Sequence, residues 1–175
     1  RAARTLVPMR PRRVRRARAA RGSLDFDLPE PLILFDIDGL AREVVAGERN
    51  DAHRLIEEFM LSANEAVAVA LQQAVREALY RIHERPDAVR MLALSEAIEG
   101  LGYALPETGD IRPADLAAIL ERAEGRPEQR FVQTLVLRSL MQARYSEAPA
   151  LHFGLASEHY THFTSPIRRY PDLVV

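Results

Sequence analysis

A mixed α/β fold dominated by helices is what this sequence predicts, on three observations. From about residue 51 to 78, apolar side chains recur at helical spacing with no Gly or Pro among them. Three later stretches each follow a proline (Pro86, Pro113, Pro127), and the first two run out at glycines. Short runs rich in β-branched and aromatic residues, such as Leu32–Phe35, lie between turn residues. The chain has 175 residues, enough for one domain or a large piece of one. Hydrophobic residues make up 47% and charged residues 28%, a composition ordinary for a globular protein. With no Cys there is neither a disulfide framework nor a thiolate zinc site. No apolar run is long enough to span a bilayer, and no apolar segment follows the N-terminal charges as in a signal peptide.

The net charge of −1 hides an asymmetry. Nine arginines and no acid precede Asp25, and the chain contains no Lys. Residues 1–22 are therefore read as an Arg-rich lead-in segment and 23–175 as the domain proper. The run Arg10–Arg16 suits either phosphate contact or a solvated helix face.

The elements follow in order. Ala and Arg favour a helix from about 12 to 21, after the interruptions at Pro8 and Pro11, with Gly22 stopping it. Alternation from Leu24 to Leu28 favours an extended segment, ended by Pro29 and Pro31. Leu32–Phe35 and Arg42–Ala46 form a hairpin around the turn Asp36-Ile37-Asp38-Gly39. Asn50 or Asp51 caps the long helix, whose stripe runs through Ala52, Leu55, Ile56, Phe59, Met60 and Ala63. Tyr80–His83 reads as a strand. Helices follow over about 87–99 (Pro86 in its first turn), 113–123 and 127–144. His152–Leu155 reads as a strand. Ser165-Pro166 reads as a helix start, with Ser at the cap and Pro in the first turn. The pairs Asp25/Asp27 and Asp36/Asp38 are read as structural, since Asp is favoured in turns. His53, His83, His152, His159 and His162 form no zinc-ligand spacing, and no metal ligand is assigned.

The run His152 to Leu173, with Phe163-Thr164-Ser165-Pro166-Ile167-Arg168-Arg169-Tyr170-Pro171-Asp172 at its centre, resembles the signature of the ribonuclease II/ribonuclease R (RNB) family, ribonuclease R most of all. A second match supports it. Arg21–Glu30 resembles the family segment that precedes a Glu-Arg-Asn-Asp-Ala-His-Arg-Leu-Ile-Glu-Glu-Phe-Met run, here Glu48–Met60. Both matches occur in family order, and the resemblance covers about residues 21–175. The family's metal site is an Asp-x-Asp-Asp type cluster upstream of this region, and nothing here matches it. The chain is therefore expected to be the C-terminal part of an RNB catalytic domain, truncated at both ends.

The resemblance implies a cytoplasmic hydrolytic 3′→5′ exoribonuclease that releases nucleoside 5′-monophosphates from single-stranded RNA with Mg²⁺. Flanking OB-type RNA-binding modules and the rest of the catalytic domain would complete it, and the fragment alone would be inactive. In-line attack builds negative charge on the phosphoryl oxygens, which metals clamp and a forked guanidinium can hydrogen-bond in bidentate fashion. By its family position Arg168 takes that role, in the first turn of the helix opened by Ser165. Thr164 and Ser165 would meet RNA backbone at that helix start. Arg169 suits a phosphate contact or a structural pair. Tyr160, Phe163 and Tyr170 suit base stacking or packing, with packing favoured for Phe163. Asp172 would orient an arginine. Glu57 and Glu58 match the family's paired glutamates, one of which lies near the RNA 3′ end; Glu58 is favoured as the catalytic member and Glu57 as an RNA contact. Helical spacing does not choose between them: both lie off the apolar stripe, on opposite sides, with Asn64 on the side of Glu57. The rival readings are a non-catalytic RNA-binding module and a purely structural helical protein.

Overall fold

The computed structural model describes residues 9–26, 28, 30–47, 49–74, 77–106 and 110–175. Pro8, Asp27, Pro29, Glu48 and the stretch 75–76 of the expected long helix lie outside them. Among the described residues helices dominate, with two small antiparallel sheets.

Helix α1 (Met9–Ala20) ends where Gly22 adopts φ +89°, a conformation that costs a residue with a Cβ. A Cβ there would also come within 2.6 Å of the Ala114 backbone, so this position needs glycine twice over. Leu24 then buries its side chain and donates its N–H to the Gly154 carbonyl at 2.9 Å. The stretch after it forms no strand among the described residues.

Strands β1 (Pro31–Phe35) and β2 (Ala41–Ala46) form the expected hairpin, with Leu32 opposite Val45 and Ile33 opposite Val44. Asp36 builds the turn: its carboxylate accepts from the Asp38 and Leu40 N–H groups at 3.0 and 2.9 Å. Every residue of β1 is exposed, Phe35 to 63%.

Helix α2 (Asp51–Gln73) starts at Asn50, whose Oδ1 accepts from the Ala52 and His53 N–H groups; the His53 ring accepts the Asn50 N–H in return. The helix stops short of the expected residue 78. Its inward face also differs from the stripe read in the sequence. Ile56 and Phe59 are half exposed, while Glu58, Asn64 and Ala68 are buried. The buried face is polar because each inward polar group meets a fixed partner, described below.

Strand β3 (Tyr80–Ile82) pairs antiparallel with β4 (Arg144–Ser146), Arg81 opposite Tyr145. Helix α3 (Ala88–Glu99) is capped by Asp87, whose carboxylate accepts the Arg90 N–H at 2.8 Å. Pro86 therefore precedes the cap instead of occupying the first turn. Helix α4 (Pro113–Ala123) has its proline at the first position as expected. Helix α5 (Gln129–Ser139) stops well before residue 144, because Leu140 turns extended and Arg144–Ser146 is taken up by the ladder with β3. Leu94, Ile98, Leu116, Val132, Val136 and Phe153, from α3, α4, α5 and the segment after β4, are the centre of the main core. Burying each such side chain is worth about 1.5–3 kcal/mol.

Two further expectations are corrected near the C-terminus. Phe153–Leu155 is a turn of 3-10 helix, not a strand. The chain wraps so tightly around His83 that the Gly154 N–H donates to its Nδ1 at 3.1 Å, and a Cβ at Gly154 would sit 3.0 Å from that atom. Ser165-Pro166 does not start a helix. Residues 166–168 form a turn, and α6 (Tyr170–Val174) begins after Arg169. The segment folds back on itself instead: the Ser165 N–H is taken by the Asp172 carboxylate, seven positions on, at 2.7 Å.

Candidate RNA-binding site

The signature run Thr161–Asp172 is held from both sides. On one side Asp172, itself buried, accepts from the Ser165 N–H and forms a two-pronged pair with Arg169, Nε to Oδ2 at 2.6 Å and Nη2 to Oδ1 at 2.7 Å. Burial alone would raise the Asp172 carboxyl, but the Arg169 guanidinium and the Ser165 N–H hold it below the usual carboxylate range. Asp172 thus orients an arginine, and that arginine is Arg169. On the other side Asn64 of α2, 2% exposed, donates to the Tyr160 hydroxyl at 2.9 Å and accepts the Phe163 N–H at 3.0 Å.

Between these anchors stands Arg168. It is exposed, its Nε donates to Ser165 Oγ at 2.9 Å, and its terminal nitrogens have no protein partner among the described residues. Arg168 is therefore in a turn and not in the first turn of a helix, and any anion it meets is met by its guanidinium without a helix end behind it. Thr164 lies beside it with its hydroxyl oxygen buried and unpartnered. Phe163, expected to pack, is 43% exposed, and Tyr170 is 71% exposed.

Tyr160 is buried within a ladder of edge-to-face rings. Tyr145 meets His162 at 5.6 Å, His162 meets Tyr160 at 5.9 Å, and Tyr160 meets His152 at 5.2 Å. His152 then meets His83 at 5.1 Å. Burial, then the neighbouring His83, pushes His152 down to about 3; burial, then Arg169 and Arg81, pushes His162 down to about 4. Both rings are neutral at neutral pH, so they pack as aromatics and leave the arginines as the positive groups of this face.

The paired glutamates part company. Glu58 is 3% exposed and its Oε1 accepts from Arg18 Nη2 at 2.7 Å; Arg18, also buried, donates its other terminal nitrogen to Ser23 Oγ. Glu57 is half-buried and accepts from Arg49 Nη2 at 2.6 Å, while Arg49 Nη1 donates to Asp25. A pocket of about 310 Å³ opens beside it, lined by His53, Glu57, Leu61, Asn64, Tyr160 and Arg169. His53, Glu57 and Leu61 also line a second cavity that extends to Arg18, Asp25, Phe26 and Arg49. The structure thus gathers Glu57, Tyr160 and Arg169 at one pocket, and it turns Glu58, favoured from the motif, toward the interior. Arg18, Arg49 and Asn64 were not assigned from the sequence. Only Asn64 left a trace there, seven residues and so two turns beyond Glu57.

A divalent metal is not accommodated by these residues. Asp172 is taken up by Arg169 and Ser165, Glu57 by Arg49, and no group of three or more His, Asp or Glu side chains among the described residues could hold an ion. What remains is a cationic, aromatic-lined surface with a rigidly mounted arginine, suited to a phosphodiester chain.

Comparison with known proteins bears on the same surface. The RNB domain model matches residues 9–175. The chain is 49% identical over 160 residues to ribonuclease R of Aquifex aeolicus, covering 91% of this chain and 23% of that protein. It is 40% identical over 160 residues to ribonuclease R of Escherichia coli K12, covering 91% of this chain and 20% of that one. Among solved structures, Mycoplasma genitalium RNase R in complex with ribose-methylated single-stranded RNA matches with a TM-score of 0.89 at 32% identity, over 95% of this chain and 26% of that chain. Yeast Ssd1, described as a pseudonuclease, matches with a TM-score of 0.65 at 25% identity, over 73% of this chain and 16% of that chain. The chain therefore spans only 16–26% of the length of these relatives.

Proposed function

Because the chain belongs to the RNB domain family, we propose that it forms one wall of the active site of a hydrolytic 3′→5′ exoribonuclease acting on single-stranded RNA. The observation that carries this reading is the mounting of Arg168: an exposed guanidinium in a turn locked by Asp172 and by Asn64, next to a pocket lined by Glu57, Tyr160 and Arg169. In the reaction, a water oxygen bonds to the last phosphorus. The bond from that phosphorus to the 3′ oxygen of the preceding nucleotide breaks, that oxygen takes up a proton, and a nucleoside 5′-monophosphate leaves. Arg168 donates to the non-bridging oxygens, where charge builds in the transition state. Ser165 and Thr164 line the approach of the backbone, and Tyr170, mostly exposed, offers a stacking face. Tyr160 and Arg169 bound the pocket for the terminal nucleotide. Glu57 takes the contact to its sugar, because Glu58 is committed to Arg18.

The metal, Mg²⁺ by family resemblance, would be held by aspartates outside this chain, as would the OB-type modules that feed RNA to the site. No helix among the described residues is long and apolar enough to cross a membrane; the place of action we infer is the cytoplasm.

A second reading is RNA binding without catalysis. It is suggested by the fold shared with yeast Ssd1, described as a pseudonuclease. One experiment separates the two. Labelled single-stranded RNA is offered, with Mg²⁺, to this chain and to a chimera in which the chain replaces the matching segment of the Aquifex aeolicus ribonuclease R. Nucleotide release by the chimera, lost in Arg168→Ala, supports the exonuclease. RNA retained without release by a folded chimera supports the binding module.

A further inference from the structure

We propose that Asn64 is the positioning residue of this site: from α2 it sets the Tyr160 hydroxyl and the turn that carries Arg168. The inference rests on the exonuclease reading for its catalytic consequence but not for its structural one. Asn64 sits two helical turns from Glu57 on the same side of α2, and both residues line the same pocket. Its amide is 2% exposed and uses both ends: the NH₂ donates to the Tyr160 hydroxyl, and the oxygen accepts the Phe163 N–H. These partners lie 96 and 99 residues away in sequence, so a single side chain joins the helix bearing Glu57 to the segment bearing Arg168.

The chemistry of an amide suits the task. Only a group that donates and accepts at once can hold a hydroxyl and a backbone N–H in a dry site without bringing a charge. The Phe163 N–H, a donor that belongs to no helix or strand, finds its partner in the Asn64 oxygen. Two residues after Phe163 the second anchor begins, where Asp172 takes the Ser165 N–H. Asn64 and Asp172 thus grip the turn at its two ends, and Ser165 Oγ holds the Arg168 Nε between them. The tip of this turn is exposed, with Ile167 fully in solvent, so no packing there would replace the grip if it were lost.

The test has two arms and three variants. Asn64→Leu keeps the branched outline, with somewhat more bulk, and removes both hydrogen bonds. Asn64→Asp keeps an acceptor for the Phe163 N–H and for the Tyr160 O–H. Tyr160→Phe removes the hydroxyl alone. In the first arm, hydrogen exchange is followed on this chain. Asn64→Leu should speed exchange of the 163–169 amides at least tenfold while the α3, α4 and α5 amides stay protected, and Asn64→Asp should restore most of the protection. Unchanged exchange at 163–169, or an equal loss everywhere, overturns the assignment whether or not the protein cuts RNA. In the second arm, single-turnover cleavage is measured in the chimera described above. Asn64→Leu should lower the rate at saturating RNA by at least tenfold with RNA affinity within threefold, and it should add nothing further in an Arg168→Ala background. An additive effect, or a loss confined to affinity, overturns the positioning role. Should the unsubstituted chimera release no nucleotide, the exonuclease reading falls and the exchange arm alone decides whether Asn64 holds the turn.

Discussion

Removing Glu58 isolates the energetics of the interior face of α2. The Arg18 and Glu58 side chains are 7% and 4% exposed and meet at 2.7 Å. So little exposure leaves solvent a weak screen for the pair and a poor substitute for a missing partner. In Glu58→Ala the guanidinium keeps its bond to Ser23 Oγ but loses its counter-charge, and its Nε already has no partner. Arginine cannot shed its proton, so the charge stays buried. Breaking a buried pair by deleting one partner costs about 3–5 kcal/mol. For a chain of this size about 2–4 °C of melting midpoint goes with each kcal/mol, so the midpoint should fall by roughly 6–20 °C. The double variant Arg18→Met/Glu58→Leu removes both charges and should come within about 1–4 kcal/mol of the parent on the stabilising side. Urea unfolding at pH 7 on the parent, on Arg18→Met and Glu58→Leu alone and on the double variant gives the coupling energy directly. A Glu58→Ala variant that unfolds within about 1 kcal/mol of the parent and binds RNA more weakly would refute the reasoning. It would mean that Glu58, not Glu57, faces the nucleotide.

Other outcomes follow from the same geometry. His152 and His162 titrate near 3 and 4 in the folded chain instead of at the ordinary 6.5. The unfolded chain therefore binds more protons between those values. The stability they contribute is complete above pH 6.5 and is lost as pH falls toward 3; unfolding free energies from urea titrations at pH 7 and pH 5 should differ by about 2–4 kcal/mol for the two rings together. A flat profile over that range would show that the ring ladder is open to water. Gly22→Ala should destabilise by more than about 1 kcal/mol, since it imposes both a strained φ and a contact with the Ala114 backbone; thermal melting reads it. A neutral Gly22→Ala would place α4 further from that turn.

Local signals in the sequence carried far, and non-local pairings set their limit. The capped start of α2 and the hairpin turn at Asp36–Gly39 are legible because each is decided by residues within four positions of one another. The end of α5 is not: apolar spacing continues to Met141, but Arg144–Ser146 is claimed by a strand more than sixty positions earlier. Ser165-Pro166 looks like a helix start until Asp172, seven positions on, takes the Ser165 N–H. At the candidate site, motif order was enough to bring out Arg168, Arg169 and Tyr160. The inward turn of Glu58 depends on Arg18, forty positions away, which no periodicity reveals. Asn64 looks like one more polar residue on an amphipathic helix, and only its partners across the chain give it a role.

The hairpin has a consequence for handling this protein. Its first strand, Pro31-Leu32-Ile33-Leu34-Phe35, carries no charge, is exposed at every residue and has a single neighbouring strand among the described residues, so one row of its backbone hydrogen-bonding groups is left outside the ladder. Such a ribbon is a template for strand addition by another molecule, and the short uncharged run is of the kind that stacks into fibrils. The near-zero net charge of −1 provides little repulsion to prevent it. Association in concentrated solution is therefore expected to start at this edge, and Ile33→Lys should slow it, as light scattering over days would read.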